Sequence, residues 1–132
     1  MALRVVITVL CGVGLYASIF MLRKSTRAER GLLAEASVVQ TPRARLFGGV
    51  PNAAIGALYY PLLAAGVWMG LAVLPLLAAA LAAALTSAAL AYSLLFVTRM
   101  PCVYCWTSHA VNWTLAVLVI WSAIHPAAMA LR

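Results

Sequence analysis

The chain has 132 residues, of which 67% are hydrophobic and only 8% are charged. Soluble domains are about half apolar and about a quarter charged, so this composition excludes a soluble domain with an anchor and indicates a membrane protein throughout. The net charge of +7 does not indicate nucleic acid binding, because the basic residues flank apolar spans, where lipid headgroups and topology account for them.

The first predicted membrane span covers residues 3–22, and a cluster of charged residues over 23–30 ends it. Its length of about 20 residues suits a retained span rather than a cleaved signal peptide. Cys11 stands alone in this span and is predicted to be a packing residue. The polar loop that follows, residues 23–51, is expected to lie outside the membrane and contains no cysteine.

An uncharged apolar run extends from residue 52 to residue 96 and is too long for one span. It is predicted to fold back as two spans, 52–72 and 75–98, with the turn near Gly70 to Pro75, because proline suits a helix start. The last span is predicted over 102–124. The predicted fold class is therefore all-α: residues 1–132 form a single domain, an integral membrane four-helix bundle with both termini on one side.

The start of the fourth span carries the motif CVYCWTSHAVN. Cys102, Cys105, His109 and Asn112 are spaced by 3, 4 and 3 residues, which places them on one helical stripe. A helix N-terminus favours the thiolate that attacks in disulfide exchange. Polar groups deeper in a span usually face the bundle interior and mark a ligand or a pathway. The stripe predicts a redox pair above a polar pocket wall, suited to the carbonyl oxygens of a quinone-like ring.

Two other interpretations of the cysteine pair stay open at this point. Two cysteines and a histidine can ligate zinc or a softer ion, so the chain could be a soft-metal binding or transport protein, although a fourth ligand is missing nearby. In the second alternative the chain is a non-catalytic membrane subunit of the same fold, and Cys102 and Cys105 are packing residues. Our prediction assigns no metal site.

The start of the second span carries a further candidate segment, GGVPNAAIGALYY. Asn52, Gly56 and Tyr60 are spaced by four residues and therefore share a face. Gly56 allows a flat ligand or another backbone to come close, and the other two side chains offer hydrogen bonds. Taken alone, the pattern favours an ordinary glycine-mediated helix contact.

Together, CVYCWTSHAVN and LFGGVPNAAIGALYY resemble the vitamin K epoxide reductase family, in matching order along essentially the whole chain. The resemblance implies a four-helix membrane bundle with a quinone bound beside the cysteine pair. It implies that Cys105 faces the quinone, that Cys102 exchanges disulfides with partner thiols, and that Asn52 hydrogen-bonds the quinone. The expected catalytic residues are Cys102 and Cys105. The expected substrate-binding residues are Phe47, Asn52, Gly56, Tyr60, His109 and Asn112.

The predicted function is a membrane thiol–disulfide oxidoreductase of a bacterial or archaeal type. It would pass electrons from a thioredoxin-like partner to menaquinone or ubiquinone and so make disulfides. Typical family members carry two more cysteines in the loop after the first helix, which relay electrons from partner thiols, and this loop has none. Either a partner reaches Cys102 directly, or the protein does not relay disulfides.

The side of the membrane is indicated by two conflicting signals. The loop side carries seven Lys and Arg residues and the termini side carries two, so the positive-inside rule places the cysteines in the cytoplasm. The resemblance implies an active site outside the cytoplasm, where disulfides persist. We expect a multi-pass inner-membrane protein with an extracytoplasmic active site, and the inverted orientation is the alternative.

Overall fold

The computed structural model describes residues 1–46 and 49–125. Within those ranges the chain forms four helices: α1 (Ala2–Glu29), α2 (Asn52–Trp68), α3 (Val73–Tyr92) and α4 (Val103–Ile124). Three of the described helical stretches are long and apolar enough to cross a membrane, namely α1, α4, and α3 with its extension to Thr98. The α2 helix has 17 residues, or about 25 Å at 1.5 Å per residue. The predicted all-α membrane bundle is confirmed.

Two helices end at positions that differ from the predicted span limits. The α1 helix continues past residue 22 to Glu29. Charged residues end the membrane-spanning part of a helix, but they do not interrupt its backbone hydrogen bonds. Gly31, with a φ of +67°, ends it in a left-handed cap. The α2 helix ends at Trp68 rather than residue 72, because Gly70 also has a φ of +67°. Glycine adopts this conformation without steric cost, so it terminates both helices.

The predicted hairpin between the second and third spans is present as the tight turn from α2 to α3. The α3 helix begins at Val73, which puts Pro75 in the first turn, where its missing N–H costs little. At its other end α3 continues as a π-helical segment, Ser93–Thr98. Arg99, with a φ of +48°, then turns the chain toward α4.

The loop between α1 and α2 folds back against the bundle. Its described part contains two short 3-10 turns and two paired strands: Val38–Gln40, Pro42–Ala44, β1 (Arg45–Leu46) and β2 (Val50–Pro51). The Arg45 guanidinium donates to the Gly49 carbonyl at 2.9 Å and forms a salt bridge with Glu29 at the end of α1. These contacts attach the cap segment, which we define as residues 38–44, to the helical framework.

The half of the bundle nearest the termini is filled by apolar side chains, and we call it the packed half. Its core cluster consists of Ile7, Cys11, Tyr60, Leu63, Val67, Leu76, Ala80, Val111, Leu115, Ala116 and Val119. The Tyr60 ring lies directly against Gly14 of α1, where a methyl group would overlap it. Because α1 packs along α2 and α4, and α3 packs along α4, whereas α2 and α3 make few mutual contacts, the other half stays more open.

Candidate active site

Cys102 and Cys105 form a disulfide at the start of α4, with their Cα atoms 5.3 Å apart. Cys102 is the N-cap residue, and its sulfur accepts a hydrogen bond from the Cys105 backbone N–H at 3.2 Å. Arg99 lies three residues before it. A helix N-terminus and a nearby cation both stabilise a thiolate. The pair therefore occupies a position suited to reduction and reoxidation.

A cavity of about 400 Å³ lies between the cap segment and the four helices, and we call this part of the bundle the cavity half. Its wall is mostly apolar. Of the cysteines that the structure describes, Cys105 is the one that lines the cavity. Cys102 is partly exposed at the helix end. Both cysteines are partly exposed, so what distinguishes them is that Cys105 lines the cavity and Cys102 is the N-cap residue at the helix end.

The cavity brings together most of the predicted substrate-binding residues. Its wall includes Asn52, Gly56, Tyr60, His109 and Asn112. Gly56 allows α2 to approach α1, since a Cβ there would lie 2.5 Å from the Ser18 hydroxyl oxygen. Phe47, the sixth predicted residue, lies outside the described residues.

Several buried polar atoms in the cavity wall have no hydrogen-bond partner within ranges 1–46 and 49–125. They are Asn52 Oδ1, Tyr59 Oη, Ser93 Oγ and His109 Nδ1. Leaving a buried donor or acceptor unpaired costs about 1–3 kcal/mol, and native proteins contain few such groups. Their concentration around one apolar cavity indicates a ligand with an apolar body and several polar atoms.

The side chains of Asn52 and His109 are held in place by neighbouring residues. Asn52 Nδ2 donates to the Arg43 carbonyl of the cap segment at 3.0 Å. His109 is only 6% exposed, and its ring lies between those of Trp106 and Trp113, at centroid distances of 6.0 and 6.2 Å. Each side chain is therefore fixed on one side while one polar atom remains available to a ligand.

Tyr60 and Asn112 are hydrogen-bonded to each other. The Tyr60 hydroxyl donates to Asn112 Oδ1 at 2.9 Å, and Asn112 Nδ2 donates to Ser87 Oγ at 2.7 Å. This network joins α2, α4 and α3 at the boundary between the packed half and the cavity half. The arrangement suits positioning of the cavity wall, and direct binding of the ligand by Tyr60 and Asn112 stays a prediction.

Sequence analysis did not single out Tyr59, Ser87 or Ser93, all of which line the cavity. Ser87 and Ser93 interrupt the apolar sequence of α3 and its extension. Polar residues within a membrane span often mark a ligand site, so the sequence could have indicated them. Ser93 also begins the π-helical segment, and π-helical turns are frequent at functional sites. Tyr59 carried no such signal, because a tyrosine in a membrane span is unremarkable until its surroundings are known.

The cysteine pair does not belong to a recognisable metal-ligand cluster. In the described part of the chain, no group of three or more His, Cys, Asp or Glu side chains is placed to hold a metal ion. The two sulfurs are bonded to each other. This geometry favours redox chemistry over soft-metal binding.

Comparison with known proteins gives one family match. The model of the Vitamin K epoxide reductase family matches residues 5–120, a range that contains both candidate segments and the disulfide. No curated protein matches the chain.

Proposed function

The chain belongs to the vitamin K epoxide reductase family, and from that premise we propose that it passes electrons from partner thiols through Cys102 and Cys105 to a quinone. Family membership indicates a membrane thiol–disulfide oxidoreductase in general terms. The quinone, the roles of the two sulfurs and the partner belong to the proposal. The observation that carries it is the position of Cys105 on an apolar cavity lined by unpartnered polar atoms.

A quinone is compatible with the side chains around the cavity. Its ring is apolar, in keeping with the mostly apolar wall, and its two oxygens accept hydrogen bonds. His109 Nδ1, when it carries the proton, is a donor for one oxygen. Asn52 Nδ2 has a second hydrogen, besides the one that it donates to Arg43, for the other. When bound, a quinone supplies a two-electron, two-proton acceptor. The geometry therefore fits a thiol-to-quinone reaction better than a metal site.

The proposed reaction has two half-reactions that balance. In the first, a partner thiolate attacks Cys102, the Cys102–Cys105 bond breaks, and a second partner thiol resolves the mixed disulfide. The partner thereby loses two electrons and two protons, and the chain gains two thiols. In the second, the two thiols pass two electrons and two protons to the quinone, and the Cys102–Cys105 disulfide forms again. The products are a partner disulfide and a hydroquinone.

The roles of the side chains follow from their places in the site. The Cys105 backbone N–H already points at the Cys102 sulfur, so we expect it to stabilise a Cys102 thiolate after reduction. We propose that His109 Nδ1, which is buried without a partner, exchanges a proton with a ring oxygen, and that Asn52 orients the ring. The Asn112 network holds the wall on which these groups act.

We propose that the cavity opens toward the bilayer between α2 and α3. These helices make few contacts with each other, and the cavity-lining residues Ala79, Ala82 and Thr86 of α3 are exposed. An isoprenoid quinone is confined to the bilayer, so an opening on this side admits it without passage through water. This placement supports a lipid-soluble electron acceptor.

The partner must reach Cys102 from the loop side of the bundle. Because the loop between α1 and α2 contains no cysteine, we propose direct attack on Cys102 by a thioredoxin-like protein with two thiols. Partial exposure of Cys102 at the N-cap supports this route.

The proposal is tested with purified protein, a reduced thioredoxin and a water-soluble quinone, by following the quinone absorbance. We expect quinone reduction with the wild-type chain and a fall to the uncatalysed rate with Cys105→Ala. Cys11→Ala is the matched control, because Cys11 lies in the packed half at 2% exposure and should leave the rate per folded molecule intact. An undiminished rate in Cys105→Ala would overturn the mechanism.

Orientation in the membrane requires a separate experiment. We propose that Cys102 faces the extracytoplasmic side of the inner membrane. After mild reduction, a membrane-impermeant maleimide should label Cys102 in intact cells, with the Cys102→Ser variant as the control for other thiols. Labelling confined to inverted vesicles would establish the cytoplasmic alternative.

A further inference from the structure

We infer that Ser93 and Tyr59 are specificity-determining residues, and that their hydroxyls donate hydrogen bonds to oxygen substituents on the quinone ring beyond its two carbonyls. The cavity would then select an alkoxy-substituted benzoquinone over an alkylated naphthoquinone. This inference rests on the proposed function, because it names the substrate class of the same site.

Ser93 differs from several threonines in these helices. A serine or threonine within a helix commonly returns its hydroxyl to the carbonyl one turn earlier, as Thr8 does to Arg4 at 2.8 Å and Thr114 does to Ala110 at 2.8 Å. Ser93 is only 4% exposed, yet its Oγ has no partner among the described residues. Ser93 lines the cavity, where a ligand is the partner that would pair its hydroxyl.

The position of Ser93 along the bundle follows from the bond between Asn112 and Ser87. Ser93, at the start of the π-helical extension of α3, lies six residues after Ser87, about 9 Å along the axis at 1.5 Å per residue. Cys105 lies seven residues before Asn112 in the antiparallel α4, about 10 Å in the same direction. Ser93 and Cys105 therefore line the cavity at nearly the same depth along the bundle axis. A ring bound beside the Cys105 sulfur would be at the depth of Ser93.

Tyr59 supplies a second hydroxyl to the same cavity. Its ring is fixed against the core cluster and lies 5.1 Å from the Tyr60 ring, centroid to centroid. Its Oη is buried and unpartnered in the described chain, whereas the Tyr60 hydroxyl is already bonded to Asn112. Of these two adjacent tyrosines, Tyr59 is the one whose hydroxyl is available to a ligand.

The number of polar atoms separates the two quinone classes. An alkylated para-quinone has two oxygens, which the proposed function pairs with Asn52 and His109. The Ser93 and Tyr59 hydroxyls then face carbon, and a buried hydroxyl without a partner is unfavourable. Two alkoxy oxygens on the ring provide the two additional acceptors, and a fused benzene ring provides none.

The test compares two soluble ligands of one ring size, dimethoxy-methyl-benzoquinone and trimethyl-benzoquinone. Both are titrated calorimetrically into the disulfide form of the protein, with which an oxidised quinone has no electrons to exchange. We expect Ser93→Ala, and independently Tyr59→Phe, to weaken binding of the dimethoxy ligand about threefold to tenfold and to leave the trimethyl ligand unchanged or slightly tighter. Ser122→Ala is the matched control, since that buried hydroxyl donates to the Val119 carbonyl within the packed half.

The outcomes separate this inference from the proposed function. If both ligands bind and the ratio of their affinities is unchanged in Ser93→Ala and Tyr59→Phe, the inference is overturned while the proposed function stands. Equal weakening of both ligands overturns it as well, because the hydroxyls would then act on the ring carbonyls or on the wall. If neither ligand binds the wild-type protein, and Cys105→Ala keeps full activity, the proposed function itself fails.

Discussion

The packed half and the cavity half of the bundle are formed by the same four helices but differ in what fills them. In the packed half, Leu115 and Val119 are 0% exposed, and buried hydroxyls such as those of Ser122 and Tyr60 have hydrogen-bond partners. In the cavity half, small residues leave space and polar atoms lack partners. The Tyr60–Asn112–Ser87 network separates them. Unpaired buried groups cost free energy of folding. Close packing in one half stabilises the bundle enough for the other half to keep such groups available for a ligand.

The largest expected effect is a difference between Cys102 and Cys105 in how fast each thiol reacts with a protein partner. In Cys105→Ser the remaining Cys102 thiol should form a mixed disulfide with a thioredoxin whose single cysteine has been activated as an aromatic disulfide. In Cys102→Ser the Cys105 thiol should react far more slowly, because Cys105 lies against the cavity. The species are separated on a non-reducing gel.

The predicted difference between the two sulfurs would be contradicted if both variants reacted at the same rate. Equal rates would mean that a protein partner reaches the cavity side of the disulfide as easily as the loop side. A small alkylating agent serves as the control, since it should modify both thiols in detergent and so show that both are present and reduced.

The next effect is on stability and tests the packed half. Leu115→Ala leaves a void among fully buried side chains and should lower the free energy of unfolding by about 2–5 kcal/mol. Val117→Ala, on the same helix and 62% exposed, should cost far less. Unfolding is followed by circular dichroism in detergent with increasing sodium dodecyl sulfate. A similar loss in both variants would show that the packed half does not hold the bundle together.

Sequence alone was sufficient for the helical bundle and for the position of the cysteine pair at a helix start, because hydropathy and helix-start signals are local properties. The limits of the last predicted span put the pair at a helix start, where the structure has it. Helix ends were less predictable: α1 extends to Glu29 because hydropathy marks the edge of the lipid and not the last helical hydrogen bond.

The partners of polar side chains could not be predicted, because they depend on packing between distant segments. Asn112 was expected to bind the ring, yet its amide meets Tyr60, 52 residues away, and Ser87, 25 residues away. Ser93 and Tyr59 became candidates only when the cavity showed their hydroxyls unpaired. The local sequence does not show whether a buried hydroxyl has a hydrogen-bond partner, because that partner can lie on a distant segment.

A smaller effect is expected at the boundary between the halves. Asn112→Leu removes both hydrogen bonds of the amide and leaves the Tyr60 and Ser87 hydroxyls without it, so stability should fall by about 1–3 kcal/mol. Quinone reduction should fall as well, because the wall beside Cys105 loses its link to α2 and α3. Both quantities are measured on the same preparation. Normal activity in a destabilised variant would show that Asn112 contributes to the stability of the bundle and not to quinone reduction.

The smallest effect is expected at the salt bridge between Glu29 and Arg45, which attaches the loop to α1. Both side chains are partly exposed, at 50% and 34%, and exposed pairs contribute about 0.2–1 kcal/mol. Glu29→Gln should therefore barely change unfolding. Arg45 keeps its bond to Gly49, so the cap segment stays attached, but less firmly.

Limited trypsin digestion distinguishes this local loosening from a global effect. Cleavage after Arg43 and Arg45 should be faster in Glu29→Gln, whereas cleavage within the helices should not change. Glu35→Gln removes the same charge from an exposed loop position that forms no ion pair within the described residues, so it should digest like the wild type. Faster cleavage throughout the chain would mean that the loop supports the packed half. Cleavage limited to the loop would show that the cap segment loosens while the packed half stays intact.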